Sequence, residues 1–243
     1  MIDIHSHILP EVDDGSKSWE MSVHMLRMAA RDGIEHMVAT PHADETYSYD
    51  RQWLSRLLDE LRQRVGPNPG LSLGCDFHFS YENLEDLDAN PSKYTIGATP
   101  YLLVELSDFS IPPSVTTKLE DLVAQDLRPI ITHPERNLIL QRSPERVLQW
   151  ADMGCAVQVT ASALTGLWGG KAKQVANWLL KHEGIHIIAT DAHSIDGRPP
   201  ILSEGRDAAA QVVGTDVARA LVDDNPRAVI EGRDLPYFPT PEF

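Results

Sequence analysis

The chain opens Met1-Ile2-Asp3-Ile4-His5-Ser6-His7, a short apolar run that ends in two imidazoles two positions apart. Strand side chains repeat every second residue, so His5 and His7 leave one side of a strand end and can grip one metal ion. Among 10 histidines a single such pair carries little weight. The pattern recurs, however, along the whole chain: MVATPH ends at His42, LSLGCD at Asp76, YLLVE at Glu105, PIITH at His133, and HIIATDAH at Asp191 and His193. Imidazole and carboxylate without thiolate form the donor set of Zn, Mn or Fe sites. Successive strand ends delivering such ligands predict a metal-dependent hydrolase.

Other residues divide by where they stand relative to those strand ends. Asp13 and Asp14, in Glu11-Val12-Asp13-Asp14-Gly15, could cap the helix that begins near Ser18, but their loop leaves the ligand end of the first strand, so at least one of them is expected to face the metals. His78 follows Asp76 by two residues on the same strand face and is a further candidate ligand. Arg136 in THPER and Arg198 in DGRPP follow ligand-bearing strands, where two guanidinium forks suit a phosphate clamp. His24 and His182 fall in helical stretches, while His36 and His186 open strands at the opposite end; capping or solvated roles are expected for these four. Cysteine phosphatases need arginine six residues beyond the cysteine, but Tyr81 and Ala161 stand there. Thr165 spoils a phosphate-loop reading of Gly169-Gly170-Lys171, which is better read as a helix start, and no GxSxG elbow occurs.

These residues need a scaffold of strands and helices in alternation. Strands are predicted at Ile2–Ile4, His36–Thr40, Leu71–Asp76, Tyr101–Leu106, Pro129–Thr132, Ala156–Thr160 and His186–Thr190. Helical periodicity covers Ser18–Asp32, Asp50–Val65, Ser114–Gln125, Pro144–Met153, Lys171–His182, Ser203–Val213 and Asp216–Val222. Gly33, Gly154 and Gly184 each precede a strand, as left-handed helix caps would. Alternation implies parallel strands with right-handed crossovers. Five or six strand ends converge on one point far more readily in a barrel than at an open sheet's switch point. At 243 residues, one domain with a full core is expected.

Composition narrows the partners. A formal charge of -15 repels a phosphate backbone, which argues against nucleic acid. Nothing approaches the ~18 consecutive apolar residues of a membrane span, and the N-terminus lacks the basic start and apolar stretch of a signal peptide, so a cytoplasmic protein is expected. Cys75 and Cys155 make no disulfide framework and read as small buried residues.

MIDIHSHILPEVDDG, ATPH, THPER and ATDAHSIDGRPP, in that order, resemble the polymerase-and-histidinol-phosphatase (PHP) superfamily. Within it they resemble the bacterial manganese-dependent protein tyrosine phosphatases of capsular and exopolysaccharide operons; the match runs from Met1 to about Asn225. The resemblance implies a distorted seven-unit (β/α) TIM-like barrel over residues 1–233, with 234–243 as a C-terminal tail rich in proline and aromatic residues. It assigns His5, His7, Asp76 and Asp191 to one ion, Asp76, Glu105 and His133 to a second, and Asp14, His42 and His193 to a third. Arg136 and Arg198 would contact phosphoryl oxygens, and manganese would be the metal, with zinc or iron as alternatives. One departure is Asp76, where the family pattern carries glutamate, so this carboxylate is one methylene shorter. The implied activity is hydrolysis of phosphotyrosine on a protein, the tail of a membrane-anchored bacterial tyrosine kinase. Rival readings are a small-molecule phosphatase such as histidinol phosphatase, an idle metal-stabilised regulatory module, and a proofreading nuclease disfavoured by the charge.

Overall fold

Parallel strands and covering helices alternate along most of the chain, as the periodicity requires, with strands following one another directly at 36–43 and 70–78. The computed structural model describes residues 1–243. The strands are β1 (Ile2–Ser6), β2 (His36–Ala39), β3 (His42–Ala43), β4 (Gly70–Leu73), β5 (Asp76–His78), β6 (Tyr101–Glu105), β7 (Arg128–Thr132), β8 (Ala156–Thr160) and β9 (Ile187–Ala189). The helices are α1 (Trp19–Arg31), α2 (Arg51–Val65), α3 (Tyr81–Ala89), α4 (Ser114–Ala124), α5 (Glu145–Asp152), α6 (Ala161–Thr165), α7 (Gly169–Lys181), α8 (Ser203–Val213), α9 (Thr215–Arg219) and α10 (Asn225–Glu231). The chain is a single mixed α/β domain whose strands all pair in parallel, in two sheets ordered β1-β2-β4 and β3-β5-β6-β7-β8-β9. No helix is long and apolar enough to cross a membrane.

Strand periodicity sorts the apolar side chains onto two faces. In β6, Leu102 and Val104 join a cluster of 49 buried residues under the helices. Tyr101 and Leu103 point the other way, into a second cluster of 11 with Ile2, Ile4, Val38, Ile130, Ile187 and Val229. Burying each such aliphatic side chain contributes roughly 1.5–3 kcal/mol, so both faces stabilise the strand layer. Helix ends follow local chemistry: Ser18 accepts from the Met21 N–H to start α1, and Asp50 accepts from Gln52 and Trp53 to start α2.

Three expectations require correction. Leu71–Asp76 is not one strand: it breaks after Leu73 and resumes at Asp76. At the break the Gly74 N–H donates to Ala39 O at 2.8 Å. A Cβ there would lie 3.0 Å from Ile96 and 3.1 Å from Val38, so a larger residue would push these side chains back by a few tenths of an ångström. The His36–Thr40 run likewise stops at Ala39 and continues as β3 beyond Pro41, whose missing N–H interrupts a ladder. Gly33 and Gly154 do take left-handed φ values of 87° and 101°, but before β9 that role falls to Glu183 at 57°. Gly184 is instead pinned by packing, since a Cβ would stand 2.3 Å from Leu148 Cδ2. Helices α3, α6 and α10, of 9, 5 and 7 residues, are too short to display a 3.6-residue period, and α3 buries only Leu87.

His186 departs most from its expected solvated role. It is fully buried below β9, its Nδ1 accepts from the Val157 N–H at 3.1 Å, and its ring lies 4.1 Å from that of Phe238. Burial lowers its pKa to about 3. The 234–243 segment is thereby held to the domain, with Tyr237 N–H donating to Asn225 Oδ1 at 2.9 Å and Glu242 N–H to His182 O at 2.9 Å.

The sign of the linkage follows: the folded state keeps His186 neutral down to about pH 3, whereas the unfolded chain takes up the proton below its ordinary value. Stability present above that ordinary pKa of ~6.5 is lost as pH falls towards the folded value, with a slope of at most about 1.4 kcal/mol per pH unit. His186→Asn keeps an acceptor for Val157 and cannot titrate, so urea midpoints should fall less between pH 7 and pH 5 than in the parent. Parallel losses in the two proteins would assign the acid sensitivity elsewhere.

Candidate metal centre and active site

All nine predicted ligands meet at the C-terminal ends of the strands. His5 lies in β1 and His7 just beyond it, with their Nε2 atoms 3.4 Å apart. His5 Nδ1 donates to Gln158 Oε1 at 2.9 Å from β8, and His7 Nδ1 donates to Asp13 Oδ2 at 2.7 Å. Each bond fixes the tautomer and turns the Nε2 lone pair inward. Asp76, the first residue of β5, sets its Oδ2 3.4 Å from both His5 Nε2 and His42 Nδ1, and 3.9 Å from His133 Nε2. Glu105 closes β6, with Oε1 3.7 Å from His133 Nε2 and Oε2 3.6 Å from His42 Nδ1. Asp191 Oδ1 stands 3.4 Å from the Nε2 atoms of His5 and His7. Asp14 Oδ1 lies 3.2 Å from His193 Nε2 and 3.4 Å from His42 Nε2.

The donor atoms form four overlapping groups: His7, Asp14, His42 and His193; His5, His7 and Asp76; His5, His133 and Asp191; and His42, Asp76 and Glu105. Separations of 3.2–3.9 Å exceed most hydrogen bonds. They suit two donors each about 2.0–2.2 Å from a shared cation. His42 Nδ1, Asp76 Oδ2 and His193 Nε2 are buried without any hydrogen-bond partner, which such a cation would provide. The residues therefore fit divalent ions.

The family model described as capsular polysaccharide synthesis, CpsB/CapC, matches residues 1–231. The chain belongs to the CpsB/CapC family. Tyrosine-protein phosphatase CpsB of Streptococcus pneumoniae is 30% identical over 239 residues, covering 95% of this chain and 98% of that protein. Tyrosine-protein phosphatase YwqE of Bacillus subtilis is 31% identical over 206 residues, covering 82% and 79%. A crystal structure from work on YwqE and CpsB, described as metal-dependent tyrosine phosphatases, superposes with a TM-score of 0.93 at 28% identity, covering 100% of this chain and 98% of that one. A D-hydantoinase structure shares the fold more loosely, with a TM-score of 0.53, 13% identity and coverage of 93% and 69%.

Charge explains why this CpsB/CapC site needs cations. Burial alone would depress His5, but the Asp76 and Asp191 carboxylates outweigh it and raise the imidazole to about 9. His42 likewise rises to about 10 because Asp14, Asp76 and Glu105 overcome burial. Burial would raise Asp76 and Asp191, yet His5 beside the first and Arg136 with His5 beside the second hold both well below the usual carboxylate range. Protonated imidazoles thus balance the buried carboxylates, and a cation held by these atoms would displace the protons.

Arg136 and Arg198 converge as a pair. Arg136 Nη2 lies 2.7 Å from Asp191 Oδ2, and Arg198 Nη2 bonds the same oxygen. Both guanidinium groups lie over the Trp168 ring, at 4.1 and 5.3 Å from its centroid, and Trp168 Nε1 donates to Ser162 Oγ at 2.9 Å. His78 stands aside from the centre, half-buried with Nδ1 3.6 Å from Glu105 Oε2. His24 is exposed on α1, as expected. His36 is half-buried and bonded to Ser72 Oγ at 2.9 Å, and His182 bonds Trp178 O at 2.8 Å.

Three contributors escaped the sequence reading of roles. Gln158 had a faint signal, a lone polar residue inside AVQVT; Trp168 had none. Asp13 was visible only as one of a pair, but the two acids have different tasks. Asp13 also accepts from the N–H groups of Gly15 at 2.9 Å and His42 at 3.2 Å, tying the loop to two histidines. Asp13→Asn should weaken metal affinity by about 10–100-fold, the usual effect of losing a carboxylate behind a ligand histidine, while His24→Ala leaves it unchanged. Ion content across a chelator titration measures both. Equal retention in the two variants would remove Asp13 from the site.

Proposed function

We propose that the chain is a metal-dependent phosphomonoesterase that hydrolyses phosphotyrosine on a protein. The observation that carries this reading is the convergence of five imidazoles and four carboxylates, with three orphaned buried donor atoms, beside two arginines. His5, His7, Asp76 and Asp191 would hold one ion, Asp76, Glu105 and His133 a second, and Asp14, His42 and His193 a third, with manganese as the metal. His42 also faces the second set and His7 the third, so the ions would share ligands. Bound there, the ions would neutralise phosphoryl oxygens and lower the pKa of the attacking water.

The chain's own residues do the rest. Arg136 and Arg198 would turn from Asp191 Oδ2 to the phosphoryl oxygens and stabilise the charge that grows on them. Asp13 and Gln158 keep His7 and His5 in the ligating tautomer. Trp168 backs both guanidinium groups and limits their motion. Tyrosine is a fair leaving group with a pKa near ~10, so little proton donation is required at its oxygen. The natural substrate in this reading is the tail of a membrane-anchored tyrosine kinase, met in the cytoplasm.

The same reading covers the architecture. Ser6 bridges in parallel to Ala192 beyond β9, the His7 N–H donates to Ala192 O at 2.8 Å, and the Asp191 N–H to His5 O at 2.9 Å. With β2 running on into β3 and β4 into β5, these bonds support a distorted seven-stave barrel spanning residues 1–233, with 234–243 as an appended tail.

Purified protein should hydrolyse an aryl phosphate, lose activity on chelation, regain it with manganese and carry two to three first-row ions per chain. Iodoacetamide should have no effect, since Cys75 and Cys155 are both buried. Inactivation by alkylation with the ions retained would overturn the mechanism. His133→Ala and Asp191→Ala should cut turnover at least ~100-fold, as loss of a metal ligand does. Arg136→Ala and Arg198→Ala should keep their ions yet lose about 2–4 kcal/mol in kcat/KM, the scale of one lost charge-stabilising donor. A fall in thermal stability with unaltered kinetics per folded molecule would make either arginine a loop tether.

A further inference from the structure

Four large apolar side chains are exposed beyond the C-terminal ends of the neighbouring strands β5, β6, β7 and β8. Tyr81, Phe109, Leu138 and Leu167 are 77%, 96%, 59% and 61% exposed, and each lies in the segment that follows β5, β6, β7 or β8, on the side of the metal centre. Between α3, the β6–α4 loop and the start of α4 runs a groove of about 550 Å³, walled by Phe79, Leu84, Leu106, Ile111 and Val115. Leu106 and Ser107 also line a cavity of about 500 Å³ that contains Asp14, His42 and Glu105 of the centre, with Phe109 at its edge. One short loop therefore separates the groove from the reacting centre.

Acidic side chains outnumber basic ones along this path. Asp44, Glu45 and Asp108 line the cavity beside the centre, and Glu85 and Asp88 edge the groove. Lys118, the lone cation of the groove wall, is tied to Asp88 at 2.8 Å. A free small phosphate would use neither the apolar wall nor the acidic edge, whereas a polypeptide lying across both would.

We propose that this groove is a docking subsite for the polypeptide flanking the phosphotyrosine, taking an aliphatic or aromatic side chain a few residues away with a basic residue against the acidic edge. The assignment rests on the phosphotyrosine reading above and adds the class of sequence that the site selects. The phosphoryl group is held at the centre, and the groove supplies discrimination between a protein and a small phosphate.

The test compares the manganese-loaded enzyme on free phosphotyrosine and on phosphotyrosine peptides whose flanks carry leucine with lysine, leucine with glutamate, or glycine alone. The leucine–lysine peptide should exceed free phosphotyrosine in kcat/KM by about 10-fold or more, the scale of one well-filled apolar anchor, and the glutamate flank should lose most of that gain. Tyr81→Ser and Leu84→Gln should lower the peptide value several-fold while free phosphotyrosine stays within about twofold. Equal kcat/KM for peptide and free phosphotyrosine, or variants that lower both alike, would overturn the proposal. If the groove instead binds a second copy, Leu84→Gln would change the mass in ultracentrifugation and leave peptide kinetics unmoved, which also overturns it. Should no phosphate be hydrolysed at all, the phosphatase reading fails separately. Fluorescence polarisation with a non-hydrolysable phosphonate peptide then still decides the groove, by loss or retention of binding in Leu84→Gln.

Discussion

Asp76 and Asp191 are carboxylates buried to 0% and 1% exposure, and an anion taken out of water must meet positive charge or give up its ionisation. The effective penalty is several kcal/mol for each ion, comparable with the net stability of a whole domain. Much of the local structure answers that constraint. Arg136 and Arg198 cover one oxygen of Asp191, and His5 and His7 stand against the other. Asp76 has no guanidinium near it and depends on His5, His42 and His133. Imidazoles compensate weakly, because each must carry a proton to do so and crowding opposes it. His193, depressed to about 4 by burial and by His7 beside it, shows where that remedy runs out. Divalent cations relieve the whole group at once, which is why the arrangement makes better physical sense loaded than bare.

The backbone is bent to deliver these groups. His133 and Asp191 take left-handed φ values of 34° and 51°, a region that non-glycine residues enter only at a cost of order 1–3 kcal/mol. Neighbouring strands hold them there: the His133 N–H donates to Gln158 O at 2.8 Å and the Asp191 N–H to His5 O at 2.9 Å. The side-chain oxygen of the same Gln158 accepts from His5 Nδ1, so one residue of β8 steadies both a strained backbone and the His5 ring. Packing on both faces of the strand layer supplies the stability that such strain consumes.

Much of this was legible because a strand's period of two and a ligand at its end are local signals. Each of the seven predicted strand regions contains strand, Leu71–Asp76 in two pieces, and the histidines at their far ends come together while His24, His36, His182 and His186 stay away. What could not be read depends on contacts distant in the chain. The pairing of Gln158 with His5 spans 153 residues, and nothing in AVQVT announces it. Trp168 sits in a glycine-rich stretch with no period, yet it meets arginines from two different loops. The break at Gly74 is set by side chains of Val38 and Ile96, so a continuous apolar run concealed it. His186 was misplaced because strand position alone cannot tell an open lower rim from one covered by Phe238. The Asp76 departure also reads differently in three dimensions: the shorter carboxylate still comes within 3.4 Å of two imidazoles, because β5 begins at that residue and carries its backbone to the centre.

An acidic chain that attracts a dianion is a paradox only if charge is averaged over the molecule. Exposed charges more than about 8–10 Å apart are screened at physiological salt, while those inside a partly dry mouth are not. The field a phosphoryl group meets is then set by the ions, by two guanidinium groups and by carboxylates already committed to them. Asp191 Oδ2 is shared between Arg136 and Arg198, which parks both donors at the edge of the centre before any substrate arrives. The contacts to Asp191 and to the Trp168 indole restrict both side chains, so in the proposed role only a short turn would bring them to a phosphoryl group. The remaining acidic residues around the rim act on whatever is attached to the phosphate. An array that draws in the phosphoryl group while its surroundings repel negative flanks can separate one phosphorylated sequence from another without altering the chemistry at phosphorus.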